Sequence, residues 1–343
     1  EDPTRRQEEF DALLRRTHEA GLKVLMDFVP NHVARCYHSD AKPEGTEDLG
    51  EADDKHQSFS PANNFYYLPD SSLILPHHSP DTSLYVEEPA RATGNDCFTS
   101  TPSVNDWYET VKLNYGIDYL HGGTAYTDPI PDTWLKMRDI LRYWAARGVD
   151  GFRCDMAELV PESFWRWWIT SLREEGYDLL FLAEVYQPYR YEAYLEAGFD
   201  YLYDKVGVYD RLIAIGQGKV SATPEFTWVR DAVGASQGKM CYFMENHDEQ
   251  RLASPFALGN AIRGAVLSAV ALSGTNPFLL YFAQELGEEG MAEEGFSGCD
   301  GRTSIFDYWS LEKLQRLEEG GYSTKCLTPH EQTLLSLYRT IGE

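Results

Sequence analysis

The feature that most constrains this chain is a repeated order in which a helix-like stretch leads into a short apolar run. Residues 4–20 carry apolar side chains at roughly helical spacing, Gly21 ends that pattern, and the apolar run in KVLMDFVPNH (23–32) follows. The same order recurs at 131–155, 161–185 and 261–285. Helices that alternate with short, continuously apolar strands predict a parallel sheet covered on both faces.

Two further apolar runs, FDYLY (199–203) and KMCYFMENHD (239–248), add strands to the predicted sheet. In parallel α/β folds, the residues just past the carboxyl end of each strand build the active site. We therefore expect the functional residues in the short segments that follow the predicted strands.

Residues 36–128 break this order. They are rich in Asp, His, Pro, Tyr and Asn and show little periodicity. The segment is far too long for a simple connecting loop, so it predicts an inserted subdomain. The α/β part of the chain is then formed by residues 1–35 and 129–343.

The charge of the chain limits its partners. A formal net charge of −25 argues against nucleic acid and against an acidic membrane surface, and it suits a neutral or cationic ligand. Residues 264–284 contain no charged side chain, but Ser273, Gly274 and Pro277 interrupt them. This stretch is therefore predicted to form a helix, a turn and a strand of the core, not a membrane span.

The six cysteines form no CxxC pair and no dense framework, which indicates neither a structural zinc site nor a disulfide scaffold. Cys154 and Cys241 fall in predicted strands and are expected to be buried thiols. This usage favours a reducing compartment, and so a cytoplasmic location over export.

Polar and charged residues collect after four of the predicted strands. They are Asp27, Asn31 and His32, then Arg153 and Asp155, then Glu184, and finally Asn246, His247 and Asp248. Each carboxylate alone is more often a helix cap, a surface charge or half of a structural ion pair. Four carboxylates at the same end of a barrel would repel one another unless an arginine and a ligand interacted with them.

Glycosidic bond cleavage is the chemistry that requires such a set. A retaining glycosidase needs one carboxylate as nucleophile and one carboxylic acid to protonate the leaving oxygen, about 5–5.5 Å apart. It also uses hydrogen bonds to the sugar hydroxyls, which imidazoles and a further carboxylate can supply.

The segments after these strands resemble, in order and spacing, the four motifs of the α-amylase superfamily, glycoside hydrolase family 13. The matching segments are DFVPNH (27–32), GFRCDMAEL (151–159), FLAEV (181–185) and FMENHD (243–248). The resemblance covers nearly the whole chain, and the insertion at 36–128 stands where the family has its domain B. It implies a (β/α)8 TIM barrel whose first two strands are lacking here, so we expect this chain to be a fragment of a longer protein.

The resemblance also implies roles for the reacting residues. Asp155 would be the nucleophile that forms a covalent glycosyl intermediate, and Arg153 would keep it ionised and oriented. Glu184 would be the general acid and then the general base. Asp248 would bind the hydroxyls of the sugar at the cleavage point.

Four more residues take supporting roles by the same resemblance. His32 and His247 would hydrogen-bond the same sugar as Asp248. Asp27 and Asn31 would brace the site, with Asp27 pairing with Arg153 from the neighbouring strand.

The chain departs from the family pattern at two positions near the motifs. Met156, Ala157, Glu158 and Leu159 replace a small-small-Lys-His sequence that many α-amylases have after the nucleophile. Lys112, in VKLNYG (111–116), stands where many members have an aspartate that binds structural calcium. Because a lysine repels calcium, we predict no metal at this position, and we expect Asn31 to be structural. We predict no other metal and no cofactor.

The sequence therefore favours a retaining α-glucan hydrolase that cleaves α-1,4 bonds in starch, glycogen or maltodextrin. An α-1,4-glucanotransferase or maltosyltransferase with the same nucleophile and acid/base is the alternative, because the lysine and histidine after the nucleophile are replaced. A barrel that only binds glucan or a protein partner is a third hypothesis. The retained carboxylates Asp155, Glu184 and Asp248 argue against it.

Overall fold

The structure, a computed structural model, describes residues 3–39, 42–76, 85–236, 238–290 and 311–343. The chain forms two compact units. The first comprises Glu1–Glu184 and Glu192–Asp200, and the second comprises Val185–Tyr191 and Tyr201–Glu343.

The first unit is built on three parallel strands. In chain order its strands are β1 (Leu25–Phe28), β2 (His32–Ala34), β3 (Tyr67–Leu68), β4 (Ala90–Arg91), β5 (Thr110–Lys112), β6 (Ile117–Asp118), β7 (Thr124–Ala125), β8 (Gly151–Cys154) and β9 (Leu180–Ala183). Strand β8 lies between β1 and β9 and is parallel to both. The register places Arg153 beside Asp27 on one side and beside Leu182 on the other. The carboxyl ends of these strands therefore lie at one edge.

Gly151 permits this close strand packing. A Cβ atom at this position would lie 2.3 Å from the carbonyl oxygen of Leu180 on β9. Any other residue would therefore force β8 and β9 apart, directly below the segment that carries Arg153 and Asp155.

Helices cover the parallel strands of this unit. They are α1 (Arg6–Glu19), α2 (Asp132–Ala146), α3 (Glu162–Glu174) and α4 (Tyr191–Ala197). Helix α3 buries Trp168, whose ring stacks on Phe28 at a centroid distance of 5.7 Å and contacts Phe181 at 5.2 Å. One tryptophan thus packs against both β1 and β9, which stabilises the order of the strands through apolar burial.

The segment after β1 forms three small antiparallel pairs, β2 with β5, β3 with β4 and β6 with β7. Strand β2 follows directly after the β1 segment, and its pairing with β5 sets His32 opposite Lys112. The bounds predicted for the insert, 36–128, stay a prediction.

The second unit also has three parallel strands. Its elements are β10 (Tyr201–Tyr203), α5 (Asp210–Gly216), α6 (Ala222–Ala235), β11 (Met240–Phe243), α7 (Ala261–Ala271), β12 (Phe278–Leu279), α8 (Glu312–Glu319) and α9 (Pro329–Gly342). Strand β11 pairs in parallel with β10 and with β12. The uncharged stretch 264–284 breaks into a helix and a short strand, as predicted. Within the described ranges, no helix is both long and apolar enough to cross a membrane.

The predicted parallel strands and their covering helices are confirmed, with shifts of a few residues at element ends. Cys154 and Cys241 are buried, as expected. Strand β1 is an edge strand, and Leu25 beside this edge is 38% exposed. An apolar side chain exposed at a sheet edge agrees with the expected loss of the first strands of the barrel.

Candidate active site

Arg153 is the buried centre of a cluster of three carboxylates in the first unit. Its Nη1 atom lies 2.7 Å from Asp155 Oδ1 and 2.9 Å from Asp27 Oδ1. Its Nη2 atom lies 3.0 Å from Glu184 Oε2. The arginine is 8% exposed, so one buried guanidinium serves three carboxylates, of which Glu184 is buried and Asp27 is exposed to solvent.

The strands explain how these residues meet. Asp27 lies within β1, Arg153 within β8, and Asp155 and Glu184 directly follow β8 and β9. The backbone N–H of Asp155 donates to Phe28 O at 2.8 Å, and that of Glu184 donates to Cys154 O at 3.0 Å. The backbone hydrogen bonds between the parallel strands thus continue past the strand ends, and they fix the backbone that carries the carboxyls of Asp155 and Glu184.

A strained turn follows Asp155. Met156 has a φ of 44°, in the left-handed region that residues other than glycine rarely adopt. This conformation directs the Met156 N–H at Glu184 Oε2, at a distance of 2.8 Å. Glu184 thus receives a backbone donor from the residue next to Asp155.

Burial and neighbouring charges act in opposite directions on the pKa of Asp155. Burial and the nearby charge of Glu184 raise the pKa of Asp155 to about 7, and Arg153 opposes this rise. Burial therefore favours the protonated form of Asp155, whereas Arg153 favours the ionised form that a nucleophile needs. A retaining glycosidase needs one carboxylate and one carboxylic acid, and Asp155 and Glu184 are the two carboxyls that Arg153 brings together after β8 and β9.

His32 lies in a separate polar cluster of the same unit. Asn31 Nδ2 lies 3.3 Å from His32 Nδ1, and the Trp107 ring lies 5.3 Å from the imidazole. Burial, and secondly the charge of Lys112, lower the pKa of His32 to about 4. His32 is therefore neutral at physiological pH and has one ring N–H to donate.

The cluster around Asn31 bears on the calcium site that many family members have. The ammonium of Lys112 lies 3.0 Å from Asn31 Oδ1 and 2.5 Å from Asp96 Oδ1. Calcium requires six to eight oxygen ligands at about 2.3–2.6 Å. Two side-chain oxygens that could serve an ion are bound to a lysine instead, so these residues do not fit calcium.

The remaining predicted site residues lie in the second unit, after β11. His247 Nε2 lies 3.1 Å from Asp248 Oδ2. The side chain of Asn246 accepts hydrogen bonds from the N–H groups of Asp248, at 2.9 Å, and Glu249, at 2.8 Å. This turn fixes the backbone that presents both side chains.

A buried ion pair flanks that turn. Glu245 and Arg251 are each 1% exposed, and Arg251 Nε lies 2.9 Å from Glu245 Oε2. Arg251 also donates to the carbonyl of Phe282 at 2.8 Å. Sequence analysis missed this pair, although a charged residue directly after an apolar strand could have suggested Glu245.

Asp27, Asn31, His32, Arg153, Asp155 and Glu184 all lie in the first unit, whereas His247 and Asp248 lie in the second. The structure confirms the expected contacts of Arg153 with Asp155 and Asp27. It adds three interactions that the sequence did not predict: the contact of Arg153 with Glu184, the Met156 N–H, and the pairing of Lys112 with Asp96.

Comparison with known proteins gives the family. Residues 6–310 match the family described as the alpha amylase catalytic domain. Alpha-amylase 3 of Dictyoglomus thermophilum is 22% identical over 329 residues, which is 89% of this chain and 56% of that protein. Alpha-1,4-glucan:maltose-1-phosphate maltosyltransferase of Cereibacter sphaeroides is 34% identical over 61 residues, which is 18% of this chain and 10% of that protein.

Solved structures agree in fold. The cyclic alpha-maltosyl-(1→6)-maltose hydrolase from Arthrobacter globiformis, in complex with maltose, has a TM-score of 0.65 at 19% identity over 98% of this chain and 62% of that one. An alpha-amylase from Lactobacillus plantarum has a TM-score of 0.56 at 22% identity, over 97% of this chain and 63% of that one. The chain thus spans about three fifths of the length of these similar proteins. It belongs to the α-amylase family of glycoside hydrolases, whose catalytic domain is a TIM barrel.

Proposed function

We propose that the protein containing this chain is a retaining α-glucan hydrolase that cleaves α-1,4-glucosidic bonds of starch, glycogen or maltodextrin. The observation that carries the proposal is the Arg153 cluster. One buried guanidinium contacts both Asp155 and Glu184, and it favours the ionised form of Asp155. Membership of the α-amylase family supports the same substrate class.

In the first step, Asp155 attacks the anomeric carbon while Glu184 gives its proton to the glycosidic oxygen. The bond between that carbon and oxygen breaks, the leaving glucan departs with the proton, and a covalent glycosyl ester of Asp155 forms. Arg153 favours the ionised form of Asp155 that makes this attack.

In the second step, the ionised Glu184 removes a proton from water as the water oxygen attacks the anomeric carbon. The ester bond to Asp155 breaks, and Glu184 regains its proton. The N–H of Met156 and the guanidinium of Arg153 stabilise the carboxylate of Glu184 between the two steps.

The remaining residues are proposed to bind the sugar. Neutral His32 can donate a ring N–H to a hydroxyl. Asp248 accepts hydrogen bonds from sugar hydroxyls, and His247, which lies against it, donates to them.

Amide substitutions in the full-length protein test the assignment. Asp155→Asn removes the nucleophile, and Glu184→Gln removes the acid, which lowers the rate about 10²–10⁴-fold. The release of reducing ends from starch measures both effects, with Asp139→Asn on an exposed face of α2 as the matched control. Cleavage of starch at the wild-type rate by Asp155→Asn would reject the proposal.

Transfer to a sugar hydroxyl is the second candidate. Glu158 replaces the lysine that many α-amylases have near the leaving glucan, so the contacts made by the acceptor must differ. The short match to a maltosyltransferase also supports it. Chromatography of products from a single maltooligosaccharide separates the two: products longer than the substrate indicate transfer, and only shorter ones indicate hydrolysis.

A further inference from the structure

Lys112 is the one buried lysine among the residues that the structure describes, with 2% of its surface exposed. Its ammonium contacts Asp96 Oδ1 at 2.5 Å and Asn31 Oδ1 at 3.0 Å. It also lies over the ring of Tyr119, 5.5 Å from the centroid. An anion, an amide oxygen and an aromatic face are the partners that a buried cation requires.

The partners of Lys112 belong to segments far apart in the sequence. Asn31 follows β1, whereas Asp96 and Lys112 belong to the predicted insert. The other end of the Asn31 amide donates to Gly94 O at 2.7 Å, two residues before Asp96. The ammonium and the amide together therefore tie the insert to the end of a barrel strand.

The same amide leads to the candidate site. Asn31 Nδ2 lies 3.3 Å from His32 Nδ1, while its Oδ1 is held by Lys112. Because Lys112 binds the oxygen, the nitrogen of this amide must face Gly94 and His32. The lysine thus determines the orientation of the Asn31 amide, so that its nitrogen faces the imidazole of His32.

A divalent ion and this ammonium exclude each other. An ion bound to Asn31 Oδ1 and Asp96 Oδ1 would occupy the position of the lysine nitrogen. The ion and the ammonium are both positively charged, so they would also repel each other. Burial lowers the pKa of Lys112, and the charge of Asp96 opposes that change.

We propose that the Lys112 ammonium is a built-in structural cation, which takes the place of a metal ion, joins the insert to the end of β1 and positions His32 through Asn31. The structural part of this inference does not depend on the proposed function. Only the effect on catalysis through His32 rests on it.

Asp96 offers a controlled test. Asp96→Asn removes the anion that pairs with Lys112, and Asp70→Asn is the matched control. Both aspartates are exposed and have left-handed backbone angles, with φ of 64° and 59°, so the contact with Lys112 is what the comparison tests. In thermal unfolding of the full-length protein with EDTA, we expect Asp96→Asn to lower Tm by about 2–5 °C relative to Asp70→Asn.

Removal of the ammonium gives the second measurement. Lys112→Met keeps an unbranched side chain that is one atom shorter, and it leaves Asp96 and Asn31 without the cation. We expect Tm to fall by roughly 5 °C or more, and Lys42→Met, at an exposed lysine, to change it little. The proposal would be overturned if Asp96→Asn had the same Tm as Asp70→Asn and if Lys112→Met had the Tm of the wild type.

Added calcium distinguishes the ammonium from a metal. We expect excess calcium chloride to change the Tm of the wild type and of Asp96→Asn by the same amount, because neither binds calcium here. A rise for the wild type that Asp96→Asn lacks would overturn the proposal, since Asp96 would then hold a metal. If Lys112→Met does not fold, the Asp96 and calcium comparisons still decide.

The positioning role has its own readout, the hydrogen-bonding state of the His32 ring by NMR. We expect the ring nitrogen signals of His32 to shift in Lys112→Met and to stay at wild-type positions in Lys42→Met. Unchanged His32 signals in folded Lys112→Met would overturn the positioning role. Because neither unfolding nor NMR needs substrate, a protein without glucan cleavage that shows these changes would refute the proposed function and support this inference.

Discussion

The backbone N–H of Met156 donates a hydrogen bond to the carboxylate of Glu184 at 2.8 Å. Met156 follows the proposed nucleophile and adopts a left-handed conformation, with a φ of 44°. The turn that ends the nucleophile segment is therefore also part of the environment of the proposed acid. Strain at such a position is maintained when the surrounding structure over-determines it, as the paired strands β8 and β9 do here.

Arg153 is expected to govern the pH dependence of catalysis. Arg153→Met leaves Asp27, Asp155 and Glu184 without this cation, so the pKa of Asp155 rises further. Activity at neutral pH should fall at least about a hundredfold, and the acidic limb of the kcat/KM profile should move to higher pH. Arg230→Met, at a side chain that is 72% exposed, is the control. A wild-type profile for Arg153→Met would contradict this role.

Asp155 is expected to reduce stability at alkaline pH. Its folded pKa of about 7 lies above its ordinary value of 3.8, so the protonated form is favoured in the folded state. This contribution is fully present below about pH 4 and is lost as pH rises through about 7. Asp155→Asn should thus raise the free energy of unfolding at about pH 8, by on the order of 2–4 kcal/mol, and should do so less as pH falls.

Thermal or urea unfolding of Asp155→Asn across this pH range measures the effect, with Asp139→Asn as the control at an exposed carboxylate. A difference between variant and wild type that does not change with pH would show that Asp155 titrates alike in the folded and unfolded states. Such a result would contradict the raised pKa of Asp155 in the folded protein.

His32 is expected to stay neutral throughout the physiological range. Burial and the charge of Lys112 lower its pKa to about 4. The ring should therefore titrate near pH 4 by NMR, and Lys112→Met should raise its pKa toward 6.5 without reaching it, because burial remains. A His32 ring that titrates near pH 6.5 in the wild type would contradict this environment.

Gly151 is expected to tolerate no side chain. In Gly151→Ala the new Cβ meets the carbonyl oxygen of Leu180 at 2.3 Å, so β8 and β9 must separate. We expect a loss of at least about 2 kcal/mol in the free energy of unfolding and a lower kcat, because Asp155 moves away from Glu184. Gly234→Ala in α6 has nothing within 4 Å of the new Cβ, so this matched control should gain up to about 1 kcal/mol. Equal stability of the two variants would show that the strands can absorb the methyl group.

Much of the fold could be predicted because the evidence for it is local. Helical spacing along 131–146 predicted α2 (Asp132–Ala146), and the apolar run after it predicted β8. Parallel order followed from the alternation of helices and strands, and from it the convergence of Asp27, Arg153, Asp155 and Glu184 at the strand ends. Element ends were less certain, since fraying and turn geometry decide them.

The sequence by itself was enough to propose the reacting groups and to predict the order of the elements, because periodicity and motifs depend on residues close together in the chain. Only the tertiary structure decided how those groups are held. Met156 and Glu184 are 28 residues apart, and Lys112 and Asn31 are 81 apart. Such contacts depend on strand register and on a single backbone angle, which no local pattern specifies. The lysine that the sequence marked only as a departure from its family therefore became, in the folded protein, the cation between Asn31 and Asp96.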